Sequence, residues 1–283
     1  MKMINMKNEK IDLKKIVFFL FVLIFVKFVT SAASKGKSSA GGENSASQAQ
    51  IQKLNRVLVQ MTDDCKSAIP NGDPNEFLAD LQKVLDSEKD FSSDDLSPFY
   101  LIDKSHKVSA DYEPKNLIHL EKNDLFAINK NNLSLRPEAY QALKTLATAA
   151  KKDGVTLTVS STYRSYQYQD NLFKYWVSVD GLEEAERESA RPGTSQHQLG
   201  FALDFAPVDD AFAQTTAGKW VYENAAKYGW SLSFPQGYEP VTGYRWESWH
   251  FRYVGVEAVK FQQKWFSDVQ QFMIEFIDAW KSE

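Results

Sequence analysis

The stretch Ser195-Gln196-His197-Gln198-Leu199-Gly200-Phe201-Ala202-Leu203-Asp204-Phe205 decides how the rest of the chain is read. Its second half, Phe201 to Phe205, has the alternation of a strand. Successive side chains point to opposite faces of a strand, so Phe201, Leu203 and Phe205 share one face while Ala202 and Asp204 take the other. The segment Trp249-His250-Phe251-Arg252-Tyr253 repeats the pattern, with Trp249, Phe251 and Tyr253 on one face and His250 and Arg252 opposite. Both strands therefore present an apolar face to a helical layer and a polar face to a cleft. A carboxylate buried without a partner is costly. Asp204 needs one, and a cation supplies it.

His197, Asp204 and His250 together offer two imidazoles and a carboxylate. That donor set suits a catalytic zinc, which takes three protein ligands and keeps a fourth position for water. Glu247, three residues before His250, stands at the mouth of the same site as a general base. The chain holds four His, and His106 and His119 fall outside these segments and read as surface residues. A single His is more often a hydrogen-bonded core or surface residue. The pairing of His-x6-Asp with Glu-x-x-His, each with the same facing, is what carries the metal reading.

Working outward, Pro137 after Arg136 opens a helix whose Ala139, Leu143, Leu146, Ala147 and Ala150 form one stripe, ended by Gly154. Val155, Leu157 and Val159 alternate with Thr156, Thr158 and Ser160 in a further strand. Ser165 caps a helix that turns Leu172, Phe173, Trp176 and Val177 inward, and another covers 182–190. A helix over 216–228 closes at Gly229. Phe261, Trp265, Phe266, Val269, Phe272, Met273, Phe276, Ile277 and Trp280 follow the 3.6-residue period of one final amphipathic helix, whose aromatic stripe reads as core packing. The predicted fold is α+β: an antiparallel sheet with helices packed on one face and a zinc cleft on the other.

The chain divides into five stretches. Residues 1–33 combine a cationic start, an apolar run over 16–26 and the small residues Thr30-Ser31-Ala32-Ala33, the pattern of a secretory signal peptide cut after Ala33. An N-terminal membrane anchor is the alternative, disfavoured because the apolar run is shorter than the roughly 20 residues that span a bilayer. Both place the bulk of the protein outside the cytoplasm, in the periplasm or cell envelope. Residues 34–50, rich in Ser, Gly, Ala and Gln, read as a flexible linker. A helical segment follows over 51–110, with Ile51, Leu54, Val57, Leu58 and Met61 on one face and Phe77, Leu78, Leu81, Val84 and Leu85 on another. The mixed domain spans 111–256 and the amphipathic helix 257–283.

Composition limits the partners. Residues 1–33 hold six Lys against two acids, leaving 27 basic and 35 acidic residues, a net −8, for the rest. Nucleic-acid binding usually needs a basic patch, so no nucleic-acid partner is expected. With Cys65 as the sole cysteine there is no internal disulfide and no polythiolate zinc site.

Thr194 to Asp204 and Glu247-Ser248-Trp249-His250 resemble the two signatures of VanY-type D-alanyl-D-alanine carboxypeptidases, which belong with the hedgehog-like zinc peptidases. The likeness extends to Tyr163-Arg164-Ser165-Tyr166 with Gln169, to Ala190-Arg191-Pro192-Gly193 and to Thr242-Gly243-Tyr244, and covers roughly 111–255. Family members commonly carry Pro where this chain has Ser248, and a small or polar residue where it has Phe201. These departures leave the implied ligands untouched and bear on substrate fit. The resemblance implies Zn2+ held by His197, Asp204 and His250, a general base at Glu247, and Arg164 beside the developing oxyanion. Ser195 and Gln169 are candidates to hydrogen-bond the peptide terminus, with a local turn or helix-capping role as the alternative for each. The implied substrate is the C-terminal end of a peptidoglycan stem peptide, cleaved by D-alanyl-D-alanine carboxypeptidase activity. L,D-carboxypeptidase or endopeptidase activity is the alternative within the class. A non-catalytic, zinc-holding wall-binding module is the alternative outside it, and Glu247 argues against that.

Overall fold

The computed structural model describes residues 47–91 and 94–283. The signal-peptide or anchor reading of 1–33 and most of the linker lie outside the described residues. Helix α1 (Gln48–Gln60) begins inside the stretch read as linker. Ser47 accepts from the Gln50 amide while the Gln50 side chain accepts from the Ser47 amide, a capping box that overrides the spacer-like composition. Helices α2 (Asp63–Ala68) and α3 (Pro74–Ser87) follow. Among the described residues no helix is long and apolar enough to cross a membrane.

The mixed domain starts with three two-residue strands, β1 (Ile118–His119), β2 (Ala127–Ile128) and β3 (Ser134–Leu135), and helix α4 (Pro137–Lys152). Next come β4 (Thr158–Ser161), α5 (Tyr166–Glu188), β5 (Ala202–Phe205), α6 (Thr216–Asn224), β6 (Trp230–Leu232), α7 (Glu239–Thr242) and β7 (His250–Tyr253). β1 pairs with β3, and the main sheet runs β2-β4-β5-β7-β6. Three of its four strand pairs are antiparallel as expected, but the pair β2–β4 at one edge is parallel. The chain reaches β4 from β2 only after passing through β3 and α4, and such a crossover returns a strand in the same direction.

The apolar sheet face is the anticipated one. Leu203, Phe205, Trp230 and Phe251 form one core with Leu143, Leu146, Ala147 and Ala150 of α4 and with Val221 of α6. The two helices expected on either side of residue 181 are both present within Tyr166–Glu188, parted at Gly181, whose φ 82° and ψ 168° are not helical.

The terminal segments differ most from expectation. The single final helix is two, α8 (Val256–Trp265) and α9 (Gln270–Ser282), separated where Ser267 and Asp268 adopt positive φ. The Gln262 side chain donates to the backbone and side-chain oxygens of Asp268 at 3.1 and 2.8 Å and stabilises that reversal. Both halves still bury their aromatic residues, which is why one period ran through the sequence. A second core results: Leu54 and Val57 of α1 and Phe77, Leu81 and Val84 of α3 pack on Phe261, Trp265, Phe272, Phe276 and Ile277. The N-terminal helices and the C-terminal helices thus form one layer. Buried aromatic side chains such as Phe77, in edge contact with Phe261, Trp265 and Phe276 at 5.1 Å each, carry most of its stability.

The segment 98–100, between the N-terminal helices and the mixed domain, covers part of the sheet's polar face. Arg252, read from sequence as facing a cleft, is 1 % exposed and donates through Nη2 to Pro98 O and Tyr100 O, both at 2.8 Å. Burial pulls its guanidinium down to about 9. The cleft therefore occupies only the His250 end of that face.

Candidate metal centre

The end of β4 organises the site. Thr162 O, just past the strand, lies 2.7 Å from His197 Nδ1, and Arg164 Nη2 donates to Asp204 Oδ2 at 2.7 Å. His197 sits on a 3-10 turn, Gln196–Leu199, capped at its start by Ser195 Oγ and closed by Gly200. Gly200 has φ +75°, and a Cβ there would stand 3.0 Å from Arg136 Cγ, so glycine lets the turn feed straight into β5. In the β5–β7 ladder Asp204 is paired with His250. The three side chains meet: His197 Nε2 is 3.3 Å from Asp204 Oδ2, and His250 Nδ1 is 3.1 Å from Asp204 Oδ1. The imidazole rings stand nearly perpendicular, 4.8 Å apart.

This cluster fits a zinc ion. One donor atom from each of the three residues lies within 4.8 Å of the others. His197 Nε2 and Asp204 Oδ1 are buried without an aligned hydrogen-bond partner, the condition of groups awaiting a ligand. Two imidazoles and one carboxylate match the donor set of a catalytic zinc site. Electrostatics agree. Burial, with the Arg164 charge nearby, pushes the His197 imidazole down to about 4, so it is neutral and able to ligate. Burial opposes ionisation of Asp204, but His197, His250 and Arg164 together outweigh it and hold the carboxyl well below its ordinary range.

Glu247 is 7 % exposed, with Oε2 3.6 Å from His250 Nδ1. Burial, and then the neighbouring Asp204 charge, push its carboxyl well above the usual carboxylate range. The cleft has a volume of about 250 Å³ and is lined by Arg164, Ser195, His197, Asp204, Glu247 and His250 among others. Trp176 and Tyr168 of α5 form part of its wall, as do Asp103 and Gln271, which lie outside 111–256.

Gln169 is placed differently from its expected substrate-binding position. It is fully buried, does not line the cleft, and its amide donates to Ser189 Oγ and Ala190 O at 3.2 and 2.7 Å. Its oxygen accepts from Arg164 Nη1 at 3.4 Å, so it reaches the site only through Arg164. The two departures from the family pattern also prove to be packing. Phe201 lies under the Arg136 guanidinium and beside the Phe91 ring, and Ser248 is fully buried with its hydroxyl toward Asp209 O. Neither touches the cleft. His106 pairs with Asp103, and His119 lies exposed on β1. The sequence reading missed Gln196, Ser233 and Gln270, which form a buried hydrogen-bonded group behind His250. Gln196 stands inside the motif beside His197, and Gln270 interrupts an apolar stripe; those were the available signals.

Comparison with known proteins agrees with the site. The family model described as VanY, D-alanyl-D-alanine carboxypeptidase, matches residues 132–256. The chain is 32% identical over 249 residues to a putative carboxypeptidase, YodJ, of Bacillus subtilis (strain 168), spanning 85% of this chain and 90% of the relative. It is 30% identical to the bifunctional D-Ala-D-Ala dipeptidase and carboxypeptidase VanXYC of Enterococcus gallinarum, over 60% of this chain and 91% of that protein. Among solved structures, the LD-carboxypeptidase LdcB superposes with a TM-score of 0.55 and 36% identity, covering 64% of this chain and 87% of LdcB. The ligand cluster, the matched signatures and a relative aligned over nearly its whole length together make this chain a member of the VanY D-alanyl-D-alanine carboxypeptidase family.

Proposed function

We propose that the protein is a zinc-dependent D-alanyl-D-alanine carboxypeptidase that hydrolyses the C-terminal peptide bond of peptidoglycan stem peptides in the cell envelope. The observation that carries this reading is the convergence of His197, Asp204 and His250 with Glu247 Oε2 3.6 Å from His250 Nδ1, inside a lined cleft. His197 through Nε2, His250 through Nδ1 and the Asp204 carboxylate would hold the ion. Bound there, zinc supplies Lewis acidity, lowering the pKa of water from 15.7 to roughly 7 and polarising the scissile carbonyl. Glu247, with its raised proton affinity, takes a proton from the attacking water and delivers it to the leaving amine. Arg164 anchors Asp204 and adds positive charge beside the carbonyl oxygen as it becomes an oxyanion. Ser195, at the cleft wall, offers a hydroxyl to the peptide terminus. The leader-like segment 1–33 supports action outside the cytoplasm.

L,D-carboxypeptidase activity is the second reading, favoured by the likeness to LdcB at 36% identity. Purified protein incubated with penta- and tetrapeptide stems, with and without chelator, separates the readings. Metal-dependent release of D-alanine from the pentapeptide supports the first, and release from the tetrapeptide alone supports the second. Binding without release from either would make the protein a wall-binding module and refute both.

A further inference from the structure

A metal-binding imidazole must present a lone pair to the ion, so its other nitrogen must carry the proton. For His197 the assignment is direct. Its Nδ1 lies 2.7 Å from Thr162 O, which only accepts, so Nδ1 is protonated and Nε2 faces the site. His250 is turned the other way. Its Nδ1 faces Asp204, and its Nε2 lies 3.2 Å from the side chain of Gln196. A glutamine amide has an accepting end and a donating end, so this contact alone leaves the proton unassigned.

We infer that Gln270, on helix α9 and outside the span of the family model, is a positioning residue that sets the tautomer of His250 by orienting Gln196. The inference rests on the reading of His250 as a metal ligand. The relay starts at Ser231 O, which can only accept, and Gln270 Nε2 donates to it at 3.3 Å. That turns Gln270 Oε1 toward Gln196, whose Nε2 donates to it at 3.4 Å. Gln196 then has only its oxygen for His250, at 3.2 Å, and the same oxygen accepts from Ser233 Oγ at 2.7 Å. An acceptor opposite Nε2 requires a proton there. Nδ1 faces the acceptor-only Asp204 carboxylate at 3.1 Å and can carry a second proton in the metal-free protein. With Nε2 already protonated, that second proton is the one released when an ion takes the Nδ1 lone pair.

Two further features support the relay. Ser231, Ser233, Gln196 and Gln270 are each no more than 7 % exposed, so bulk water does not satisfy a reversed amide. Ser233 cannot set the direction by itself, because a hydroxyl rotates to donate or accept. The polarity is inherited from the β6 backbone carbonyl, and Gln270 carries it across to the motif. This gives the C-terminal helix a part in the metal site that its aromatic stripe does not suggest.

The test compares the full chain with Gln196→Met, Gln270→Leu and the double variant, reading zinc affinity by chelator competition and folding by thermal melting of the metal-free proteins. Each single variant should bind zinc roughly 10- to 100-fold more weakly. The double variant should be no weaker than Gln196→Met, because Gln270 acts through Gln196. In the metal-free unsubstituted protein, the ¹⁵N shifts of His250 should report a proton on Nε2, whether or not Nδ1 carries another toward Asp204, and in Gln270→Leu a partial loss of that Nε2 proton. Undiminished zinc affinity in Gln270→Leu, or losses that multiply in the double variant, overturns the inference. So does an Nε2 without a proton in the unsubstituted protein, a result that stands even where a variant fails to fold. If the unsubstituted protein binds no zinc, the metal-ligand reading itself falls and takes the inference with it.

Discussion

Asp204 and His250 face each other as registered partners on adjacent antiparallel strands, with His250 Nδ1 3.1 Å from Asp204 Oδ1. Two of the three candidate ligands are thus fixed by sheet register alone, and only His197 depends on a turn. Slipping the register by one residue would send one of them to the apolar face.

Replacing either partner should therefore remove the metal while the sheet survives. Asp204→Ala and His250→Ala are expected to retain less than about a tenth of an equivalent of zinc, measured by elemental analysis after gel filtration. Zinc at 100 times its dissociation constant should stabilise the unsubstituted protein by about 2.7 kcal/mol, and this gain should vanish in both variants. A full equivalent of zinc in either variant would exclude that residue as a ligand.

Glu247 calls for a different outcome, because it touches the site without being counted among the ligands. Glu247→Gln should keep its zinc and lose turnover by about 10²- to 10⁴-fold, since a neutral amide cannot accept the proton. D-alanine release measured at equal zinc content reads this directly. Undiminished turnover would leave the base to another group.

Asp80 of α3 ties the N-terminal helices to α8, accepting from Lys264 Nζ at 2.6 Å and from Trp265 Nε1 at 3.1 Å. Burial works against its ionisation, but the contacts with Lys264, Lys83 and Trp265 prevail and lower its carboxyl to about 2. A carboxyl depressed on folding stabilises the fold above its unfolded value near 3.8, and that contribution drains away as pH falls toward 2. Trp265 fluorescence should shift across that window before the sheet unfolds. Asp80→Asn should abolish the acid step and cost about 1 kcal/mol at neutral pH. An acid transition unchanged in the variant would assign it elsewhere.

Cys65 is fully buried in the second core, and burial pushes its thiol up to about 12. The thiolate is the reactive form, so a thiol reagent at pH 8 should leave the folded protein unlabelled and modify one equivalent on denaturation. Labelling against urea concentration then reports unfolding of the second core. Rapid labelling without denaturant would show that this core opens on its own.

The motif strands were legible because their information is local. Alternation in Phe201–Phe205 and in Trp249–Tyr253 fixes which side chains share a face, and a lone carboxylate on one face demands a cation wherever the chain goes. Helix α4 was legible for the same reason, with Pro137 at its start and an unbroken stripe. The break between α8 and α9 was hidden because both halves bury aromatic residues and the period carries across Ser267 and Asp268. Arg252 misled because alternation gives a face, not what covers it.

The sequence by itself determined the strand faces, a property of residues close together along the chain, and offered His197, Asp204 and His250 as a candidate donor set with Glu247 as a candidate proton acceptor. Only the tertiary structure decided that α1 and α3 pack on α8 and α9, that Gln169 supports Arg164 from behind, and that Gln270 stands behind His250. Those relations join residues far apart in the chain. They depend on which amide or guanidinium finds a partner once water has been excluded, and no periodicity encodes that.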